Sequence, residues 1–236
     1  MEDLAGLLHK NLTGIQNRIQ TACIRAQRAP ESVTLIGVTK YARLDWATEL
    51  IKLGCRDLAE SRTQQLAERA ELLPSDLHWH FIGPLQRNKV RRTIQYSWLI
   101  HSVDSEKLLK TIDRVAGESK QNPRILIEVN LSGEANKKGF QKTELLRLWP
   151  SLCRTSHAQI SGLMTMAPHV DDPELARPVF RELSELRDSL QAISPEQIRL
   201  QELSMGMSGD FEVGIEEGAT LVRVGSALFE GLDTLT

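Results

Sequence analysis

Lys40 closes the apolar run VTLIGVTK (33–40). Alternate side chains of a strand share a face, so Ile36, Val38 and Lys40 point the same way. An amine at the end of an apolar face is partly stripped of water and is free to attack a carbonyl, as Schiff-base chemistry requires. A strand-end lysine that is simply solvated is the structural alternative. Arg223 sits in the run TLVRVGS (220–226), with Val222 and Val224 on one face and itself on the other. If the valines pack on outer helices, the arginine points inward, where it needs a partner. An acid such as Glu128 or Glu202 is one candidate; a bound ring nitrogen or anion is the other. LSMGMSG (203–209) and Gly225-Ser226 form two small-residue turns, each followed by a helical pattern. Unobstructed backbone N–H groups in such turns suit a phosphate, and tight connections are the alternative.

Other polar residues carry weaker signals. His78 and His80 stand at i, i+2 and share a strand face, but no third ligand follows at metal spacing, so hydrogen-bonded core histidines are expected. Asn88 and Lys89 lie beyond Gly83-Pro84, within reach of a strand-end loop. Lys137 and Lys138 occupy a glycine-bounded loop, where the ordinary expectation is solvation. Cys23, Cys55 and Cys153 lack CxxC spacing and read as small buried apolar groups.

The elements that must position these residues follow from periodicity. Residues 2–28 carry Leu4, Leu8, Leu12, Ile15, Ile19 and Ala22 at helical spacing. Eight β-rich runs then alternate with amphipathic stretches: 33–40, 56–61, 78–83, 97–103, 124–131, 159–167, 199–206 and 220–226. Asp172-Pro173-Glu174 starts a helix whose stripe is Leu175, Val179, Leu183, Leu186 and Leu190. Strands alternating with helices imply a parallel sheet. Eight such units in 236 residues, near the roughly 250 of a (β/α)₈ barrel, predict an α/β fold with one TIM-type barrel. Residues 1–236 are read as a single domain, with 1–29 an extra N-terminal helix packed outside the barrel. The net charge of −2 gives no footprint for nucleic acid or an anionic membrane. The acidic start MEDLAGLLHKNL and the lack of a long apolar run predict a cytoplasmic protein without signal or membrane span.

In such barrels chemistry sits where strands end. A nucleophilic amine, a phosphate cradle and an inward cation at one mouth suit pyridoxal 5′-phosphate (PLP) or the Schiff-base lysine of a sugar-phosphate aldolase. Spacing does not choose between them. The segments GVTK, WHFIGPLQRNK, IHSVDS, EVNLSGEANKKG, GLMTM, LSMGMSGD and VRVGSALFEG resemble those of the pyridoxal phosphate homeostasis proteins, which have the alanine racemase N-terminal barrel fold. The resemblance runs from about residue 33 to residue 231.

It implies a cofactor, PLP, held as a Schiff base on Lys40. Ser204, Gly225 and Ser226 match positions that cradle the phosphate, with Met205 and Gly206 beside them. Arg223 matches the arginine facing the pyridine nitrogen. Met164 and Asn88 match positions near the pocket, and Lys137 matches a loop lysine that relays PLP. Two positions depart from the family pattern. Ala59-Glu60-Ser61 replaces the usual Gly-Glu-Asn, so Ser61 makes a weaker cofactor contact, and Glu128 replaces a usual glutamine. A cationic partner at the pyridine nitrogen disfavours its protonation, leaving a weaker electron sink. The β-rich second domain of alanine racemases, which supplies an opposing acid/base, is expected to be absent because the chain stops at Thr236. The resemblance thus implies a monomeric PLP carrier that serves apo PLP-dependent enzymes transiently. A racemase-type enzyme of restricted range is the alternative.

Overall fold

The computed structural model describes residues 3–132, 138–168 and 171–232. Eight parallel strands close into a barrel: β1 (Thr34–Val38), β2 (Asp57–Glu60), β3 (His78–Phe81), β4 (Leu99–Val103), β5 (Arg124–Asn130), β7 (Gln159–Met164), β8 (Glu202–Ser204) and β9 (Leu221–Val224). Neighbours run in the order β4-β3-β2-β1-β9-β8-β7-β5, and a β4–β5 pairing completes the ring. The extra strand β6 (Phe140–Gln141) pairs only with β5. Each of the eight expected runs contains one barrel strand, so the sequence-based expectation of a (β/α)₈ barrel holds.

The helices joining the strands are α2 (Leu44–Lys52), α3 (Thr63–Leu72), α4 (Val90–Tyr96), α5 (Glu106–Ser119), α6 (Lys142–Leu152), α7 (Arg177–Ala192) and α8 (Phe211–Glu216). They form because their apolar residues recur at helical spacing. Phe180, Leu183, Leu186 and Leu190 of α7, for example, are all buried. Leu175 departs from that stripe and is 61% exposed. It lies in a 3₁₀ turn (Pro173–Ala176) before α7, where the helical period has not begun. That turn starts as expected, with the Asp172 side chain accepting from the Glu174 N–H at 3.0 Å.

The preceding helix α1 (Leu4–Arg25) buries Leu8, Leu12, Ile15, Ile19 and Ala22. It lies along α8 and α2. Arg18 and Arg25 reach Glu212 and Glu216 of α8 at 2.6 and 2.7 Å, and Leu8 joins a cluster with Ala42, Trp46 and Leu232. All three cysteines are free and buried. No helix among the described residues is long and apolar enough to cross a membrane.

Two apolar populations separate the faces of the sheet. Leu58, Trp79, Phe81, Ile100, Val103, Val222 and Val224 pack with the helices. Ile36, Ala59, Leu99, Leu126, Met164 and Leu221 fill the barrel interior, with Val38 and Ile82 against them. By alternation, Asp57, His78, His80, His101, Glu128 and Arg223 also face inward.

Candidate functional site

Because the strands are parallel, their C-terminal ends form one mouth. Lys40 lies just past β1, Ser61 just past β2, Met164 ends β7 and Ser204 ends β8. Met205 and Gly206 follow β8, Arg223 is the next-to-last residue of β9, and Gly225 and Ser226 follow it. The structure thus gathers nine of the sequence-predicted residues at one rim. Asn88 is farther out, exposed in a 3₁₀ turn (Arg87–Lys89). Lys137 lies outside the described residues.

The lysine is held through its backbone, whose carbonyl accepts from Gln65 Nε2 at 3.3 Å, and through its neighbours. The Lys40 amine lies 5.0 Å from the ring centre of Tyr41, which is itself mostly exposed. The turn Thr39–Ala42 is pinned from behind by α3. Arg69 donates to the carbonyls of Thr39 and Ala42 and pairs with Glu60 at 2.9 Å. Glu60 accepts from the Thr39 hydroxyl at 2.5 Å. Both ionic groups are buried between β2 and α3, and Oε2 of Glu60 has no hydrogen-bond partner. Burial pushes the Glu60 carboxyl up, against the opposing pull of the Thr39 bond, Arg69 and Lys40.

Arg223 confirms the inward orientation that Val222 and Val224 suggest. It is fully enclosed, and its guanidinium donates to the Ser204 hydroxyl at 2.5 Å and the Thr165 carbonyl at 3.0 Å. Neither proposed acid bonds it. Glu202 is taken by Arg124 and by the Thr220 hydroxyl at the opposite end of the barrel, because it starts β8 rather than ending it. Glu128 and Asp210 act on Arg223 only through space; burial still draws the guanidinium down to about 10. Glu128 is pushed up to about 7 by burial and then by Asp104, against Arg223 and Lys138.

The two small-residue turns differ. The first leads into α8; the second continues as successive turns through Leu232, so the helix expected after Gly225-Ser226 does not form there. Ser204 does not aim its hydroxyl at either turn, since that oxygen is engaged by Arg223 and by Nδ1 of His101 at 2.8 Å. Ser208, which the sequence did not single out, takes the place at the turn. Its hydroxyl accepts from the N–H groups of Gly225 and Ala227 at 3.2 and 3.4 Å. Those amides form a small anion-receptive nest that a phosphate oxygen would satisfy better than a hydroxyl does.

Gly206 makes the close approach possible. It has φ +92°, and a Cβ there would lie 2.8 Å from Cα of Phe211. Gly206→Ala is expected to cost about 2 kcal/mol of stability, checked by urea unfolding. Unchanged stability would show that the turn relaxes freely.

His80 is a buried, hydrogen-bonded core histidine, as expected. It lies below the mouth, bonded through Nδ1 to His101 at 2.9 Å and through Nε2 to Asp57 at 3.1 Å. No metal-binding cluster occurs among the described residues. Sequence reasoning missed Asp57, His101, Ser208, Asp210, Glu60 and Arg69.

The profile described as "Alanine racemase, N-terminal domain" matches residues 11–233. The chain is 41% identical over 221 residues to a pyridoxal phosphate homeostasis protein of Aquifex aeolicus, covering 93% of this chain and 96% of that one. Its fold matches that of PipY from Synechococcus elongatus with PLP bound, at TM-score 0.80 and 37% identity, covering 91% of this chain and 99% of PipY. It also matches an unknown protein from Bifidobacterium adolescentis at TM-score 0.90 and 33% identity, with 97% of each chain covered. This chain belongs to the alanine racemase N-terminal-domain family and, within it, to the pyridoxal phosphate homeostasis proteins.

Proposed function

We propose that this protein binds PLP at the barrel mouth, attached covalently through Lys40, and stores and delivers it to apo-enzymes. One observation carries the reading. Arg223 is a buried cation with neutral hydrogen-bond partners only and no bonded carboxylate among the described residues. Such a charge is costly unless a ligand answers it, and an unprotonated pyridine nitrogen is an acceptor of the right kind. The nest at Gly225 and Ala227 fits the phosphate, and Lys40, just past β1, supplies an amine at the same rim. When bound, PLP would bring a reactive aldehyde and an electron-withdrawing ring. The chain's part is to hold the amine, seat the phosphate and keep a fixed positive charge opposite the ring nitrogen.

Ser61, Asn88, Met164, Ser204, Met205, Gly206 and Ser226 complete the proposed pocket, and Lys137 is the proposed relay for release. The relatives' naming as homeostasis proteins supports a carrier, and a cytoplasmic location belongs to the same proposal. A monomer formed of one domain over residues 1–236 is part of the same reading. The racemase-type alternative has one observation in its favour, the inward carboxyl of Glu128 near neutrality, which could exchange a proton at physiological pH.

The test is uptake of PLP by the wild type and by Lys40→Ala, read by absorbance and by borohydride fixation followed by peptide mass. Fixation at Lys40, lost with its visible band in the variant, is expected. No fixation in the wild type would overturn the reading and favour an aldolase-like use of the lysine. Turnover of an amino acid at about 1 s⁻¹ or faster would make the protein an enzyme instead.

A further inference from the structure

The barrel interior carries a continuous row of hydrogen bonds that PLP binding, as proposed above, does not require. It starts at Asp57, the first residue of β2, whose side chain is 22% exposed at the N-terminal end of the barrel. It passes to His80 Nε2 at 3.1 Å, from His80 Nδ1 to His101 Nε2 at 2.9 Å, and from His101 Nδ1 to the Ser204 hydroxyl at 2.8 Å. It ends at the Arg223 guanidinium, 2.5 Å from that hydroxyl. The row thus runs from one end of β2 through β3 and β4, across to β8 and β9 at the mouth.

With both imidazoles neutral, the Asp57 end fixes every proton in the row, and the Arg223 end admits that pattern. Arginine has no acceptor, so Arg223 must donate to the Ser204 oxygen. The Ser204 hydroxyl is then free to donate to His101 Nδ1. His101 must carry its proton on Nε2 and donate to His80 Nδ1. His80 in turn carries its proton on Nε2 and donates to the Asp57 carboxylate, which can only accept. Both imidazoles are neutral in this pattern. Their pKa values agree in direction: burial lowers both, and the Arg223 charge lowers His101 as well. Asp57 agrees too. Burial alone would raise its carboxyl, but its hydrogen bonds with His80 and His78 bring it down. The other charged groups facing the row are His78 at its outer end, bonded to Asp57 at 3.2 Å, and Arg124.

We propose that Asp57, His80, His101 and Ser204 are positioning residues that form a one-way hydrogen-bond chain holding Arg223 against the PLP ring nitrogen. The chain lets the far end of the barrel govern the cofactor-facing cation without adding charge beside it. Neutral histidines with one defined tautomer keep Arg223 the only cation in the row. The Thr165 carbonyl takes a second donor of the same guanidinium, so its plane is fixed from two directions.

This inference rests on the PLP reading for its consequence but not for its geometry, and the experiment separates the two. Nitrogen-15 imidazole spectra of the PLP-free protein should show His80 and His101 both neutral and both protonated on Nε2. In Asp57→Asn the obligate acceptor becomes a group that can donate. His80 can then reverse, and His101, two links away, should lose its uniform Nε2–H signature. Asp57→Glu should restore it, and far-UV circular dichroism would confirm that each variant is folded. With PLP, Asp57→Asn and Ser204→Ala should each weaken binding by on the order of fivefold, and the double variant by no more than Ser204→Ala alone. The proposal is overturned if His101 keeps its Nε2 proton in Asp57→Asn, if the wild type carries it on Nδ1, or if the two affinity losses multiply. Should the wild type take up no PLP, the proposed function fails while the tautomer spectra still decide whether the chain exists.

Discussion

Arg69→Met is expected to cost about 3–5 kcal/mol of stability at pH 8, because it leaves Glu60 buried without its cation. Glu60 is fully enclosed, and one of its oxygens already lacks a partner. Methionine keeps most of the side-chain volume, so the loss reports charge and hydrogen bonding more than packing. The dependence on pH has a definite sign. Burial already places the Glu60 carboxyl above its ordinary value, and Arg69 is one of the groups holding it down. Removing Arg69 raises it further. The penalty should therefore be greatest at high pH and shrink as pH falls through the new Glu60 value, where a protonated carboxyl needs no cation.

Adding Glu60→Gln should recover much of the loss, since a neutral pair replaces the ionic one. About 1–2 kcal/mol should remain, because the carbonyls of Thr39 and Ala42 still lack their donor. Urea unfolding of the single and double variants at pH 5 and pH 8 checks both points. A loss that is equal at the two pH values, or undiminished in the double variant, would mean that Arg69 acts as a packing group. The ion pair matters to function because those two carbonyls bracket Lys40. Arg69→Met should consequently weaken PLP capture even under conditions where the protein stays folded.

The strand pattern made the barrel and its mouth readable because each unit repeats the same local logic. Arg223 was readable for a particular reason: valines on both sides of it define the helix-facing side, so the arginine had to face inward. His101 had no such marker. All five residues of β4 are buried, since a parallel barrel covers both faces of its strands, and SWLIHSV shows no contrast between its two sides. Asp57 lies in the run 56–61, whose apolar residues are only Leu58 and Ala59, and its carboxylate gains meaning only through β3 and β4. The reversal of the Ser204 hydroxyl, away from the small-residue turn, likewise depends on partners 103 and 19 residues away. Arg69 did leave a local trace. It stands three positions after the buried Leu66, on the face of α3 turned to the barrel, where an arginine implies an acid beneath it. The Ser208 contacts left none, because the fold of the last turns and the length of the β8–α8 connection set them jointly.

Glu128→Gln should make the protein more stable, by up to about 3 kcal/mol at pH 8.5 and by almost nothing at pH 4.5. Glu128 is 4% exposed, so solvent screening removes little of this effect. Its carboxyl rises from the ordinary 4.5 to about 7 on folding, by burial first and by Asp104 second, and this rise corresponds to about 3 kcal/mol. Below the unfolded value both states are protonated and the group costs nothing. As pH climbs from there through the folded value, the unfolded chain ionises first, and native stability is lost over that window. Glutamine has the same shape and does not titrate, so it should remove the slope.

Unfolding curves of the two proteins from pH 4.5 to 8.5 should converge at the acid end and separate through neutrality. Parallel curves would show that water reaches Glu128 and that it ionises at an ordinary value. The consequence for the site follows from its neighbour. Ionised Glu128 is one of two acids that stabilise the Arg223 charge through space, and protonated Glu128 withdraws that support. A carboxyl that changes state near neutral pH therefore makes the field at the proposed ring-nitrogen position depend on pH. The same substitution should flatten the pH dependence of PLP affinity over the window in which it flattens stability.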